Sequence, residues 1–142
     1  LMKKLITAIG LMSGTSCDGI DASIVESNGE DILNLIGDHF FPYEEKSRIK
    51  IRKLKEKIDK VLDLENNKSE IADLEKEITI LHFKAINLIL EKLKINKSKI
   101  DLVGLHGHTI FHSFHERKTK QLGDGKVLSK LTGLNIIYNL FK

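Results

Sequence analysis

Up to Pro42 the apolar residues of this chain alternate with polar ones or run in short blocks. From Glu44 they recur every three or four positions. This change of period separates a strand region from a helical region, and it limits the fold more than any other feature. Lys4 to Leu11 is a short apolar run, a first strand. Ile20, Ala22 and Ile24 alternate with Asp21, Ser23 and Val25, a second strand with one apolar face. Asn28-Gly29 predicts a tight hairpin, because both residues accept positive φ. Asp31 to Phe41 is then a third strand, antiparallel to the second and stopped by Pro42.

Ile51, Leu54, Ile58, Val61 and Leu62 line one face of a helix that Asn66-Asn67 interrupts. Asn67 and Glu70 have the spacing of a capping box for the next helix. Ile71, Leu74, Ile78, Leu81, Ala85, Leu88 and Ile89 form its apolar stripe, which runs on to Leu93. These stripes are packing surface rather than a cofactor box. So long a crossover makes the next strand, Ile100 to Leu105, parallel to the first. Thr109 to Phe114 and Thr119 to Leu122 predict a small hairpin around "HERK". "GDGKVLSKLTG" reads as a turn and a short helix capped by Gly133, and Leu134 to Tyr138 as a fifth strand. The expected fold class is α/β: one domain, with a mixed sheet of about five strands and helices on its faces.

Composition narrows the function classes. The 142 residues are 41% hydrophobic and 30% charged, a globular balance. The net charge of +3 comes from lysines interleaved with glutamates, which predicts a solvated helix face and no nucleic-acid partner. No apolar run is long enough for a membrane span. The basic-then-apolar start is interrupted at Gly10 to Ser16, unlike a secretory leader, and the single Cys17 excludes an internal disulfide. The expected location is cytoplasmic. Leu1 precedes Met2 and the chain stops just after an apolar strand, which suggests a piece of something longer.

The chemistry-bearing stretch is "GLMSGTSCDGID", Gly10 to Asp21, between the first two strands. A turn of this kind offers a run of backbone N–H groups. Gly14 lacks the Cβ that would block close approach, and Ser13, Thr15 and Ser16 add hydroxyl donors. Such a nest can cradle phosphate oxygens. It is neither a Walker loop nor a dinucleotide fingerprint, because a strand and not a helix follows. Composition alone leaves a plain hairpin turn equally open.

The element order is similar to one lobe of the actin-like (ribonuclease H-like) ATPase fold, where the first hairpin turn holds nucleotide phosphates. Three stretches carry a closer resemblance. "GLMSGTSCDGIDASIVE", "LVGLHGHTIFH" and "QLGDGKVLSKLTGLNIIY" resemble the anhydro-N-acetylmuramic acid kinases. Those enzymes show G-x-M-S-G-T-S-x-D-G-x-D, then H-G-Q-T-x-x-H, then a G-D-G turn followed by T-G-x-x-V-x-Y. The resemblance runs along nearly the whole chain and is weakest between Glu44 and Lys99.

The resemblance implies an ATP- and Mg²⁺-dependent reaction. The anhydro ring of anhydro-N-acetylmuramic acid is opened by water while the γ-phosphoryl group moves to the sugar 6-oxygen, in cell-wall recycling. Gly14, Thr15, Ser16, Cys17, Asp18, Gly19, Ile20 and Asp21 would form the ATP-phosphate loop. Asp18 is the candidate for Mg²⁺, since hard carboxylate oxygens suit that ion, with a turn-capping role as the alternative. His106 and His108 would face the sugar, His108 standing where the family usually has Gln. Asp124 would orient a loop at the cleft or simply cap the helix that follows.

His106, His108, His112 and His115 also have ligand-like spacing, but no cysteine or carboxylate cluster completes a metal set. Cys17 reads as a space-filling residue more than a reactive thiol. The family chain is more than twice as long, with its catalytic base and adenosine pocket in the later part, so no catalytic residue is assigned here. The chain is therefore expected to be the N-terminal lobe of such a kinase, inactive alone. The alternatives are one half of a split enzyme needing a second chain, or a non-catalytic phosphate- or sugar-binding module.

Overall fold

A computed structural model describes residues 4–14 and 16–139. Three strands come first: β1 (Ile6–Ser13), β2 (Gly19–Ser27) and β3 (Leu33–Pro42). Helices α1 (Glu45–Glu56), α2 (Val61–Asn66) and α3 (Lys68–Leu93) follow. The chain then forms β4 (Leu102–Ser113), β5 (Lys118–Leu122), α4 (Gly125–Thr132) and β6 (Ile136–Ile137). The sheet order is β3-β2-β1-β4-β5, with the two-residue β6 also paired to β4. β1, β2 and β3 are antiparallel and β4 lies parallel to β1, as the long helical crossover requires. Six strands thus replace the five expected: β4 continues through the expected hairpin, whose second strand is β5, and β6 is the shortened fifth strand.

Alternation along the strands creates one buried face. Ile9 and Leu11 of β1, Ile20, Ala22 and Ile24 of β2, and Val103 and Leu105 of β4 point into it. Ile51 and Leu54 of α1, Ile78, Ile86 and Ile89 of α3, and Leu128 of α4 close over them in a single cluster. The described helices therefore share one face of the sheet. The opposite face is open along β1, where Gly10 and Met12 are exposed, and Asp21 beside Met12 is exposed too. At the sheet edge β3 exposes Leu33 and Leu35.

α3 spans the helical layer. Near its start the Glu75 carboxylate accepts from Lys120 Nζ and from Gly123 N, each at 3.2 Å. Thr79 Oγ1 accepts from Asp124 N at 2.9 Å. At its far end Lys92 Nζ meets His39 Nδ1 at 2.8 Å, and the Leu93 methyls fill the space a Cβ on Gly37 would need.

Three local expectations change. The Asn28-Gly29 turn is wider than a two-residue hairpin: Asn28 Oδ1 accepts from the N–H groups of Glu30, Asp31 and Ile32, an Asx-type closure. The helix expected to run through Leu62 breaks after Glu56, because the Asp63 carboxylate takes the N–H groups of Asp59 and Lys60 and starts α2 there. The capping box at Asn67 and Glu70 does not form. Asn67 Nδ2 donates to Asp63 O, and Glu70 takes Lys57 Nζ at 2.8 Å.

The glycines divide by need. A Cβ on Gly19 would collide with the Phe41 carbonyl oxygen and the Pro42 Cα, whereas one on Gly10 would meet nothing within 4 Å. Gly19→Ala should therefore cost about 1–3 kcal/mol through overpacking. Gly10→Ala should be neutral or stabilising by up to about 1 kcal/mol, since glycine is entropically poor in a strand. Urea unfolding of the two variants beside the parent chain measures both.

Candidate functional site: the turn after the first strand

β1 and β2 pair along their full length, from Ile6 with Ser27 to Ser13 with Ile20. The glycine- and hydroxyl-rich stretch is thereby confined to the turn between them. The turn closes with Cys17 N donating to Gly14 O at 3.1 Å. Cys17 carries φ of +61°, a left-handed conformation for a residue with a Cβ. That costs about 1 kcal/mol and needs surrounding contacts to hold it.

Gly14 needs no such conformation. A Cβ there would find its nearest neighbour, Ser16 Oγ, at 3.7 Å, an ordinary contact. The fold therefore does not require glycine at this position. The turn is thus a cradle that a Cβ would narrow, and it fits phosphate oxygens. Asp18 adds a half-exposed carboxylate, 53% accessible, whose Oδ1 lies 3.4 Å from Arg48 Nη2 of α1. A long, exposed ion pair of this kind is weak. Asp18 therefore has oxygens to offer a hydrated Mg²⁺.

The other sequence-selected residues separate. Ile20 lies in the core and Gly19 is locked against β3, so neither offers a side chain to a ligand. Asp21 is exposed on the open face of the sheet, and Thr15 lies outside the described residues. His106 follows the buried Leu105 and so faces the open side, its Nδ1 3.0 Å from Gly107 O.

His108 would share the side of His106 if β4 were regular. Instead the register against β1 shifts between Leu11 and Ser13, and Gly107 takes φ of +79°. This bulge turns His108 into the core. Its Nδ1 lies 2.6 Å from Ser13 Oγ, and its Nε2 3.5 Å from Cys17 Sγ. Ser13 Oγ in turn meets Tyr43 Oη at 2.8 Å, while Tyr43 N donates to Asp18 O at 2.8 Å.

Asp124 accepts from the N–H groups of Lys126 and Val127 and caps α4, which uses its carboxylate within the fold. Its own N–H is tied to α3, on the helical side of the sheet. His106, His108 and Asp124 are therefore not brought together around one cavity. His112 and His115 are exposed, and among the described residues no group of three or more His, Cys, Asp or Glu could hold a metal ion.

Tyr43, Arg48 and His82 belong to this region and sequence reasoning missed them. Tyr43 and Arg48 reach the turn across a separation of about thirty residues in the chain, which no local pattern signals. His82 occupies an apolar-stripe position of α3 and is fully buried. Its Nδ1 contacts Ile78 O at 2.8 Å, and its Nε2 has no partner among the described residues.

Burial dominates the electrostatics. It lifts the Tyr43 hydroxyl to about 12, so Tyr43 remains a hydrogen-bond donor. It pushes His82 down to about 4, and it does the same to His108, with Lys55, His82 and His106 adding like-charge repulsion. Both rings are neutral in the folded protein above about pH 4 but take up a proton near pH 6.5 when unfolded. Between those values the unfolded chain binds more protons. The stabilising contribution is therefore complete above about pH 6.5 and is lost as the pH falls toward 4. The slope is up to about 1.4 kcal/mol per pH unit for each ring. Urea midpoints measured from pH 7.5 downward should fall over this window, and His82→Leu should flatten the slope.

Comparison with known proteins identifies the family of the chain. A family model described as anhydro-N-acetylmuramic acid kinase matches residues 6–142. The anhydro-N-acetylmuramic acid kinase of Pelagibacter ubique is 42% identical over 97% of this chain and 36% of its own length. Those of Rhizobium etli and Agrobacterium fabrum are 34% and 32% identical, each over 98% of this chain and 38% and 37% of their own lengths. The chain thus spans little more than a third of the curated relatives it matches. Among the described residues no helix is long and apolar enough to cross a membrane. With a match that runs from β1 to the end of the sequence, the chain belongs to the anhydro-N-acetylmuramic acid kinase family.

Proposed function

We propose that the Gly14–Asp18 turn binds the phosphates of ATP, and that residues 1–142 act as the N-terminal lobe of an actin-like kinase for an anhydro-amino sugar in the cytoplasm. The observation that carries this reading is the spare room at Gly14: glycine stands where the fold itself tolerates a Cβ, so its use there is explained by an anion approaching the main chain. ATP, when bound, supplies the γ-phosphoryl group. Phosphoryl transfer asks a protein mainly for positioning and charge stabilisation. Here the backbone of Gly14, Ser16 and Cys17 orients the phosphates, and Asp18 holds Mg²⁺ directly or through water. His106, on the open face at the same end of the sheet, contacts the sugar. His108 and Asp124 act behind the site, His108 under the turn and Asp124 as a helix cap.

Ring opening needs a general base to activate water. The nearby carboxylates are otherwise placed: Asp18 beside Arg48, Asp21 on the open sheet face, Asp124 in its cap. The base is placed in the part of the relatives' length that residues 1–142 do not span, so these residues by themselves are expected to bind and not to turn over. A second chain that supplied the base would restore activity.

Mg-ATP should raise the melting temperature, with stabilisation reaching about 2.7 kcal/mol at a hundred times its Kd. Gly14→Ala should leave unliganded stability within about 0.5 kcal/mol and reduce that shift, and Asp18→Asn should remove its dependence on Mg²⁺. A melting temperature unmoved by Mg-ATP in the parent chain overturns the binding reading. A coupled ADP-release assay with anhydro-N-acetylmuramic acid should stay at background, and turnover clearly above it overturns the claim of inactivity.

A further inference from the structure

Four polar side chains meet beneath the turn, and one consistent direction for their hydrogen bonds runs from Tyr43 toward Cys17. Tyr43 keeps its proton and has Ser13 Oγ at 2.8 Å to receive it. In that direction Ser13 has its own proton to place, and His108 Nδ1 lies 2.6 Å away. A neutral imidazole that accepts at Nδ1 carries its hydrogen on Nε2, and that N–H points at Cys17 Sγ, 3.5 Å away. The chain of bonds runs Tyr43 to Ser13 to His108 to Cys17.

It holds both feet of the turn, at Ser13 and at Cys17. Ser13 is the last residue of β1, and Cys17 is the left-handed residue on the return side. Tyr43 also binds the main chain next to Cys17, through Tyr43 N to Asp18 O at 2.8 Å. Gly14 and Ser16 lie between these anchors. The bulge at Gly107 that aims His108 here is itself fixed, because a Cβ on Gly107 would sit 2.5 Å from Leu122 O.

We infer that His108 is a positioning residue for the turn after β1: as an Nε2–H imidazole it latches Ser13 and Cys17 from beneath, so the main chain of Gly14 and Ser16 beside them is preset before a ligand arrives. A preset loop binds more tightly because less ordering remains to be done on association. The link to phosphate binding rests on the reading proposed above, whereas the latch itself does not.

Cys17 is the chain's only cysteine, so its reaction with iodoacetamide reports on the turn alone. His108→Leu leaves the Ser13 proton without its acceptor and removes the donor to Cys17. Alkylation of Cys17 should quicken roughly tenfold or more, the factor that corresponds to losing about one hydrogen bond. The faster rate should not depend on low urea concentrations, the mark of local release rather than global unfolding. His108→Gln supplies a carbonyl oxygen for Ser13 and an N–H for Cys17, so it should restore a rate close to that of the parent chain. An unchanged rate in His108→Leu overturns the latch, and so does an acceleration that tracks global unfolding.

If His108→Leu does not fold, the imidazole nitrogen shifts of the ¹⁵N-labelled parent chain decide. A neutral Nε2–H tautomer upholds the latch, and an Nδ1–H tautomer overturns it. Added Mg-ATP separates the two readings. It should slow alkylation in the parent chain and in His108→Gln, and protect His108→Leu less. No protection in any of them removes the phosphate reading while the alkylation rates still decide the latch.

Discussion

The arrangement of the site depends on one close approach of main chain to main chain. Gly107 lies so near the Leu122 carbonyl that a side chain has no space, and its positive φ admits the bulge in β4. Without that bulge the His-Gly-His sequence would place both imidazoles on the open face of the sheet. With it, His106 stays there while His108 turns under the turn that follows β1. A single extra residue in one strand thus separates a surface histidine from a buried one. It also sets which hydrogen-bond partners Ser13 and Cys17 meet.

The rest of the region follows from what burial does to those groups. Removing Tyr43 and His108 from water favours their uncharged forms, and uncharged groups must share protons in a consistent direction. The result is a buried polar cluster in which Ser13 meets both Tyr43 and His108, and His108 meets Cys17. His82, in the same core, has one ring nitrogen satisfied and one bare. It therefore lowers stability where the Ser13–His108 pair supports it.

Most of the fold was legible in the sequence because local chemistry controls it. The change of hydrophobic period at Pro42, the long stripe from Ile71 to Ile89 and the Gly133 cap of α4 all act over a few residues, and all appear in the structure, except that Leu88 of the stripe is exposed instead of packed. The break after Glu56 was missed because Asp63 competes for main-chain donors in a way that periodicity does not register. The turn was legible as a candidate site from its glycines and hydroxyls. Its supports were not: Tyr43 and His108 reach Ser13 from distant parts of the chain, and a strand pattern cannot announce a bulge. The resemblance placed His106 and His108 together at the sugar, and the bulge in β4 at Gly107 puts them on opposite sides of the sheet.

α3 gives the lobe a property that no single contact supplies. Glu75 and Thr79 near its start hold the turn that leads from β5 into α4, while Lys92 and Leu93 at its end hold β3. β3 and β5 are opposite margins of the strand order. The helix is a strut laid across the whole sheet, and neither margin can peel away while it stays seated. The two flanks of the sheet thus behave as one cooperative unit, and the turn at its centre is carried on a frame braced from both sides.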